Sequence, residues 1–507
     1  MKSESLPAHV QALLNEKVYS HAADNIQLIQ THISWVILTG PYAYKLKKPR
    51  DFGFLNFSTL ERRKHFCDME LELNRRLAPA MYLDVLPISH SKAGFTLGGY
   101  GSVIDYCIKM RQFDADALLV DQIEKADFNP ACMDQLAIDI ANFHAAYPYP
   151  GELGDRGSPD MLQQHILDNI EAGRVVANAN TRLLDTLEKL EKMNRQAIKA
   201  IGPELKRRQT SGFIRQCHGD LHLKNIAMVD GKAMVFDCIE FNDDYRIIDV
   251  MNDVAFLVMD CDARGRADLG LRFLSRYLEQ SGDYQGVRLL KLYAGYRGSV
   301  RGKVASLLSL EPSLNHGEKE QQIIEASIYF GLALDYTCER QPRLFAVGGF
   351  SGSGKSHLAL RGCGPEKAIV IRSDATRKRL ASSHPELPLY GEAINNLTYQ
   401  SIFDAAKHIL DSGYSVILDA TFLESGQRDQ FRALANQTNT PAHFLWLDIP
   451  ESILRQRIAA RQSENTDISD ASSKILSQQL SRYQTPADED IIFLNSSDDW
   501  PSFNPAA

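Results

Sequence analysis

No uninterrupted apolar run in these 507 residues is long enough to cross a bilayer, and the opening Met1-Lys2-Ser3-Glu4-Ser5-Leu6-Pro7 lacks the apolar centre of a secretory signal. A cytoplasmic chain without a membrane partner is therefore expected. Close cysteine pairs are also missing. The eight cysteines (Cys67, Cys107, Cys132, Cys217, Cys238, Cys261, Cys338 and Cys363) stand singly, which fits reduced thiols better than zinc sites or disulfides. Cys217 and Cys238 read as small buried packing residues. Charge of one sign is scarce: the net charge is only −8 and is spread along the chain, so bulk electrostatics give no reason to expect a nucleic-acid partner. Repeats, heptads and low-complexity tracts do not occur. What the chain does contain is 44% hydrophobic and 24% charged residues, globular values, in a length that calls for roughly two to four folding units.

Residues 33–47 read as a β-hairpin, Ile33 to Leu38 and Tyr42 to Lys47 around Thr39-Gly40-Pro41. A helix over about 59–78, capped by Ser58 or Thr59, would carry Phe66, Met69, Leu73 and Leu77 on one stripe. Strands near 85–88, 94–97 and 103–112 complete a small lobe. From about 113 the pattern is helical except at 214–241, and a helix over 318–339 ends before Gln341-Pro342. Beyond it, strands and helices alternate: Leu344 to Val347, Ala368 to Ile371, Ser415 to Leu418 and His443 to Leu447 are strands of an expected parallel sheet covered on both faces. The expected domains are 1–112, 113–341 and 342–507, with a linker short enough for contact within the chain.

Two phosphate-handling signatures stand about 130 residues apart. In His218-Gly219-Asp220-Leu221-His222-Leu223-Lys224-Asn225 the Asp-to-Asn spacing is that of a kinase catalytic loop, whose Asp accepts the acceptor hydroxyl's proton and whose Asn holds a metal. A hairpin closed on Asp230-Gly231 pairs Val229 with Lys232 and, counting outward, Asn225 with Phe236. Asn225 and Asp237 then emerge side by side as oxygen ligands for Mg2+. This motif set resembles the aminoglycoside phosphotransferase and choline kinase branch of the kinase-like fold, over roughly 30–340. The resemblance implies a bilobal fold with Asp220 as catalytic base, Asn225 and Asp237 on Mg2+, and an ATP-phosphate lysine in the small lobe. Lys45 is the choice for that lysine, with Lys47 on the same strand parity and Lys48 nearby; Glu70 is the candidate ion-pair partner, Glu72 the alternative. Thr39-Gly40-Pro41-Tyr42 is not a kinase glycine-rich loop, so nucleotide cover must differ and ATP over GTP is not fixed. The segment 105–113 would lead into the hinge. Asp249 and Asp253, with Arg297 and Arg301, read either as contacts to an acidic acceptor or as mutual ion pairs beneath the site.

The second signature, Gly349-Phe350-Ser351-Gly352-Ser353-Gly354-Lys355-Ser356, satisfies the G-x-x-x-x-G-K-S pattern between a strand and a helix. Backbone N–H groups from Gly349, Ser351, Gly352, Ser353 and Gly354 would cradle ATP phosphates, Lys355 would reach the β and γ phosphates and Ser356 would ligate Mg2+. Asp374, expected at the end of a strand beside the loop, is the candidate general base, with Arg372 or Arg377 orienting the acceptor. Asp419 closes a Walker B-like strand and would hold Mg2+. Arg457 and Arg461, one helical turn apart, would close on the transferring phosphate as a lid, with Arg455 beside them. The set resembles small-molecule P-loop kinases of the gluconate kinase, chloramphenicol phosphotransferase, polynucleotide kinase and zeta toxin group.

The whole order resembles the bacterial bifunctional aminoglycoside phosphotransferase/ATP-binding family, a likeness carried also by Ala43-Tyr44-Lys45-Leu46-Lys47-Lys48-Pro49, Asp51-Phe52-Gly53-Phe54-Leu55 and Asn74-Arg75-Arg76-Leu77-Ala78-Pro79. The expected fold class is α/β and α+β: a protein-kinase-like bilobal part followed by a P-loop NTPase domain with a parallel sheet. The expected function is a tandem, Mg2+- and ATP-dependent phosphotransferase acting on hydroxyls of small molecules. Two other readings stand beside it, a P-loop sensor that transfers nothing and regulates the first part, and a toxin- or stress-type kinase of a macromolecule.

Overall fold

A computed structural model describes residues 6–23, 25–51, 53, 55–92, 94–177, 180–464, 473–485, 490–495 and 498–503, the side chains of 461–464 and 473 excepted. Phe52, Phe54 and the side chain of Arg461 lie outside the described residues. Contacts divide the chain into two compact units: Met1–Cys132, Ala146–Gly157 and Arg207–Asp253 form the first, Met133–Ala145, Ser158–Lys206 and Val254–Ala507 the second. Among the described residues no helix is long and apolar enough to cross a membrane.

The first unit is built on an antiparallel sheet of β1 (Gln27–Gln30), β2 (Ser34–Leu38), β3 (Tyr42–Lys47), β4 (Tyr82–Ser91), β5 (Gly94–Leu97) and β6 (Ser102–Arg111), in the order β1-β2-β3-β6-β4-β5. Alternation along β3 sets the two cores. Tyr44 and Leu46 join Trp35, Ile37, Ile88 and Cys107 on one face, while Ala43 joins Met81, Tyr82, Ile108 and Met110 on the other. Lys45 and Lys47 share the parity of Ala43. The helix Leu60–Asn74, capped by Thr59, buries Arg63, Cys67, Glu70, Leu73 and Asn74. The expected stripe of Phe66, Met69 and Leu77 is therefore corrected: those three are only half-buried, because the inward face is built around charged and polar partners. The remaining strands are β7 (Ile214–Gln216), β8 (Ile226–Val229), β9 (Lys232–Val235) and β10 (Ile247–Asp249). The β8–β9 register follows the Asp230-Gly231 turn, both residues with positive φ, and pairs Val229 with Lys232.

In the second unit β11 (Leu344–Gly348), β12 (Ala368–Arg372), β13 (Ser415–Asp419), β14 (Ala442–Leu447) and β15 (Ile491–Leu494) form a parallel sheet in the order β12-β13-β11-β14-β15. Every residue of β11, β12 and β13 is buried, as a strand covered on both faces requires. Two expectations change here. A fifth strand, β15, is present, and β12 is an edge strand separated from the P-loop strand β11 by β13. That edge is covered by the helix Ala267–Ser281, whose Ser275 Oγ accepts from Val370 N–H at 3.0 Å. The helix His316–Asp335 begins at a capping box on Asn315 and buries Ala326, Tyr329, Phe330 and Ala333, leaving Ile324 and Ile328 exposed.

Candidate active sites

The hairpin β8–β9 brings the first set together: Phe236 N–H donates to Asn225 O at 2.9 Å, placing Asn225 next to Asp237. Asn225 Nδ2 donates to the Asp220 carboxylate at 2.8 Å and to its backbone carbonyl at 3.0 Å. Those bonds use the amide nitrogen and leave Oδ1 as a neutral oxygen donor suited to Mg2+. His222 Nε2 lies 3.3 Å from the Asp220 carboxylate. The turn carrying Asp220 is fixed from below, since Asp253 accepts from both His218 N–H and Gly219 N–H at 2.9 Å. Burial holds the His218 imidazole pKa below its usual value despite Asp253 nearby, favouring the neutral ring, and its Nε2 sits 3.0 Å from Phe236 O.

Asp237 has φ +64, an uncommon left-handed conformation for a non-glycine residue, held by Tyr82, whose hydroxyl accepts from Asp237 N–H. Its carboxylate meets Lys45 Nζ at 2.5 Å, and the same ammonium reaches Glu70 Oε1 at 2.8 Å. Lys47, 1% exposed, donates to Glu70 Oε2 at 2.6 Å and to Glu240. Burial alone would raise the Glu70 pKa, but the two ammonium groups reverse this and hold it at about 2. Burial also works against the charged form of Lys45, yet Asp237 and Glu70 raise its pKa well above the ordinary lysine value. Glu72, the alternative partner, is exposed and sits 3.6 Å from Arg76.

Asp249 ends β10 and forms a buried bidentate pair with Arg208 at 2.7 and 2.8 Å. Arg297 stacks over Phe256 and Tyr296, and Arg301 lies 3.7 Å from Glu325.

At the second set, Gly349 and Gly354 take φ +132 and +99. A Cβ on Gly349 would stand 2.9 Å from Leu447 O, so only glycine leaves the loop its path, while Gly354 opens the helix Lys355–Cys363. Ser353 Oγ is buried without a hydrogen-bond partner among the described residues, an orphan polar atom that fits a phosphate-binding cradle. Ser351 N–H donates to Gln479 Oε1 at 2.9 Å, Lys355 Nζ to Phe350 O at 2.9 Å, and Arg457 to Ser353 O at 3.2 Å. Ser356 Oγ donates to Asp419 at 2.5 Å, and burial raises the Asp419 pKa despite Lys355. The loop could thus cradle a polyphosphate, and the Ser356–Asp419 pair offers oxygens that could hold Mg2+. Asp374 lies in the first turn of the helix Ser373–Ser383, 2.6 Å from Arg377. Arg455 pairs with Glu451 on the surface.

Arg372 is not available as expected. Glu279, on the helix Ala267–Ser281, accepts from its Nε at 2.6 Å and Nη2 at 2.5 Å, and also from Arg276. Burial pushes the Glu279 carboxyl up to about 8 against the pull of Arg276. Glu240, Tyr82 and Glu279 escaped the sequence reading, and Asn74, whose Oδ1 accepts from Cys238 N–H at 2.9 Å, was read only as part of a family motif. The one local signal was the polar series Arg63, Glu70, Asn74 at helical spacing, and Glu240 and Glu279 had none.

Residues 111–290 match the model of the Phosphotransferase enzyme family, and 344–486 that of an AAA domain. The relatives "Uncharacterized protein Rv2004c" of Mycobacterium tuberculosis and "Uncharacterized protein Mb2027c" of Mycobacterium bovis are each 30% identical over 455 residues, 87% of either chain. More distant solved structures include a choline/ethanolamine kinase family protein from Mesorhizobium loti (12% identity, 63% of this chain and 94% of that one, TM-score 0.37) and a gluconokinase from Sinorhizobium meliloti 1021 (22%, 32% and 86%, TM-score 0.25).

Proposed function

The chain belongs to the family of the mycobacterial Rv2004c and Mb2027c proteins and is an enzyme of the phosphotransferase class, and on that premise we propose a tandem kinase with two ATP sites. Its functional parts are 1–112 and 113–341, which together form the first kinase, and 342–507, the second. Each moves the γ-phosphate of ATP to a hydroxyl of a small molecule. The observation that carries the first site is the ion pair of Lys45 with both Glu70 and Asp237, a lysine beside the carboxylate that would hold the metal.

At that site Asp220 accepts the acceptor proton, oriented by Asn225, while Lys45 binds phosphate. Asn225 Oδ1 and Asp237 would hold Mg2+. At the second site the glycine loop receives the phosphates, Lys355 turns from Phe350 O onto them, Arg457 closes from the carbonyl side, and Arg461 follows it on the same helix. Ser356 and Asp419 would hold Mg2+, and Asp374 is the base when released from Arg377. Bound Mg2+ supplies charge neutralisation on the phosphate oxygens at both sites.

The nonhydrolysable analogue AMPPNP tests the two-site count by calorimetry with Mg2+. Two equivalents per chain are expected, one remaining in Asp237→Ala and one in Lys355→Ala. A single equivalent that Lys355→Ala abolishes would overturn the first site.

A further inference from the structure

The five charged groups at the first site form one continuous chain of opposite charges: Asp237, Lys45, Glu70, Lys47, Glu240. The links are 2.5 Å from Asp237 to Lys45, 2.8 Å from Lys45 to Glu70 Oε1 and 2.6 Å from Glu70 Oε2 to Lys47, and the chain closes with the Lys47–Glu240 bond. Both ends lie on the same short segment, Asp237-Cys238-Ile239-Glu240. Burial deepens away from Asp237: the side chains of Lys45, Glu70, Lys47 and Glu240 are 14%, 0%, 1% and 5% exposed, whereas the Asp237 side chain is 42% exposed. Lys47 Nζ also lies 4.7 Å above the buried Phe57 ring, and with 1% of the residue exposed it is out of reach of solvent.

Taking all five groups as ionised leaves one excess negative charge, and Asp237 is the member that reaches solvent. From these observations the geometry points to Lys47 and Glu240 as positioning residues of the first site, a role nothing in the two kinase signatures assigns. Resting on the reading of that site as an ATP site, the inference is that Lys47, anchored by Glu240, fixes Glu70 so that Glu70 aims Lys45. The return of the chain to residue 240 then pins the segment bearing Asp237. Lys45 binds phosphate, and Lys47 never meets nucleotide. Three carboxylates around two ammonium groups also leave Asp237 electron-rich for a divalent cation despite its bond to Lys45.

The test uses the full chain with Lys355→Ala as parent, so that AMPPNP reports the first site alone, titrated by calorimetry at a series of Mg2+ concentrations. In this background Lys47→Met/Glu240→Gln removes the inner link as a neutral pair. AMPPNP affinity is expected to fall about tenfold, and the half-saturating Mg2+ concentration to rise by a similar factor, a shift in metal demand that a merely structural pair would not produce. Should that variant fail to fold, Glu240→Gln alone, which keeps the shape and removes the anchoring charge, is expected to shift both quantities a few-fold in the same direction. Affinity and Mg2+ dependence equal to the parent's in the folded variant would overturn the inference and leave the ATP site standing. Absence of AMPPNP binding in the parent itself would instead remove the ATP-site reading, and the inference with it.

Discussion

The two candidate sites hold their lysines in opposite ways. In the first, Lys45 is already engaged by Glu70 and Asp237, inside a chain of side-chain charges that is nearly all buried. In the second, Lys355 donates to a carbonyl of its own loop, and the recognition surface is backbone shaped by glycines. On the proposed reading, one site would be organised before nucleotide arrives, and the other would exchange a loop hydrogen bond for a phosphate. Preorganisation by buried charge is sensitive to the loss of any member, because the remaining charges stay desolvated. Preorganisation by backbone is sensitive to added atoms instead. Sequence motifs advertise the second kind of site more loudly, since glycines and a lysine sit in eight consecutive residues, while the first kind is assembled across separations of up to 193 residues.

The largest separation between the sites is expected from Asp220→Ala, which should lower first-site transfer by about 10²–10⁴-fold and leave second-site transfer unchanged in a steady-state assay with γ-labelled ATP. Next comes Glu70→Ala, which leaves Lys45 and Lys47 short of a buried partner and should destabilise the first unit by about 3–5 kcal/mol. Hydrogen exchange along Leu60–Asn74 would read that loss, with little change in the strands of the second unit.

The pH dependence of the same group has a definite sign. The folded Glu70 pKa is depressed from 4.5 to about 2, so its stabilisation is present above pH 4.5 and lost as pH falls towards 2. Protection factors in the helix Leu60–Asn74, taken against the intrinsic exchange rate at each pH, should fall across that window in the wild type, and protection independent of pH there would contradict the charge-chain description.

At the other site Glu279→Gln should cost about 2 kcal/mol by weakening the grip on Arg372, and exchange protection in β12 should fall more than in β14. A uniform change over both strands would mean that the bond does not act locally on the edge strand. The smallest effect is Gly231→Ala, at φ +75 with open space around it, which should cost about 1 kcal/mol through backbone strain alone. Melting would detect it, with AMPPNP affinity unchanged.

How much of this was legible varies with the range of the interaction. The β8–β9 register follows from a two-residue turn, and that arithmetic put Asn225 beside Asp237. The P-loop likewise needs only its neighbouring strand and helix. The helix at 60–74 was placed, but its inward stripe was misread, because a rule that sends apolar residues inward fails when Glu70 is neutralised by two lysines. The position of β12 was misread for a different reason: alternating strands and helices imply a parallel sheet without fixing strand order. Glu279 lies 93 residues from Arg372 in sequence, and no local pattern marks the pairing.

The central claim is that both sites transfer phosphate. The most direct measurement incubates γ-labelled ATP and Mg2+ with pooled small metabolites and compares wild type, Asp220→Ala and Lys355→Ala. Two labelled products are predicted, each lost in a different variant. If Lys355→Ala changes only the yield of the Asp220-dependent product, the second site does not transfer phosphate, and a nucleotide sensor takes its place.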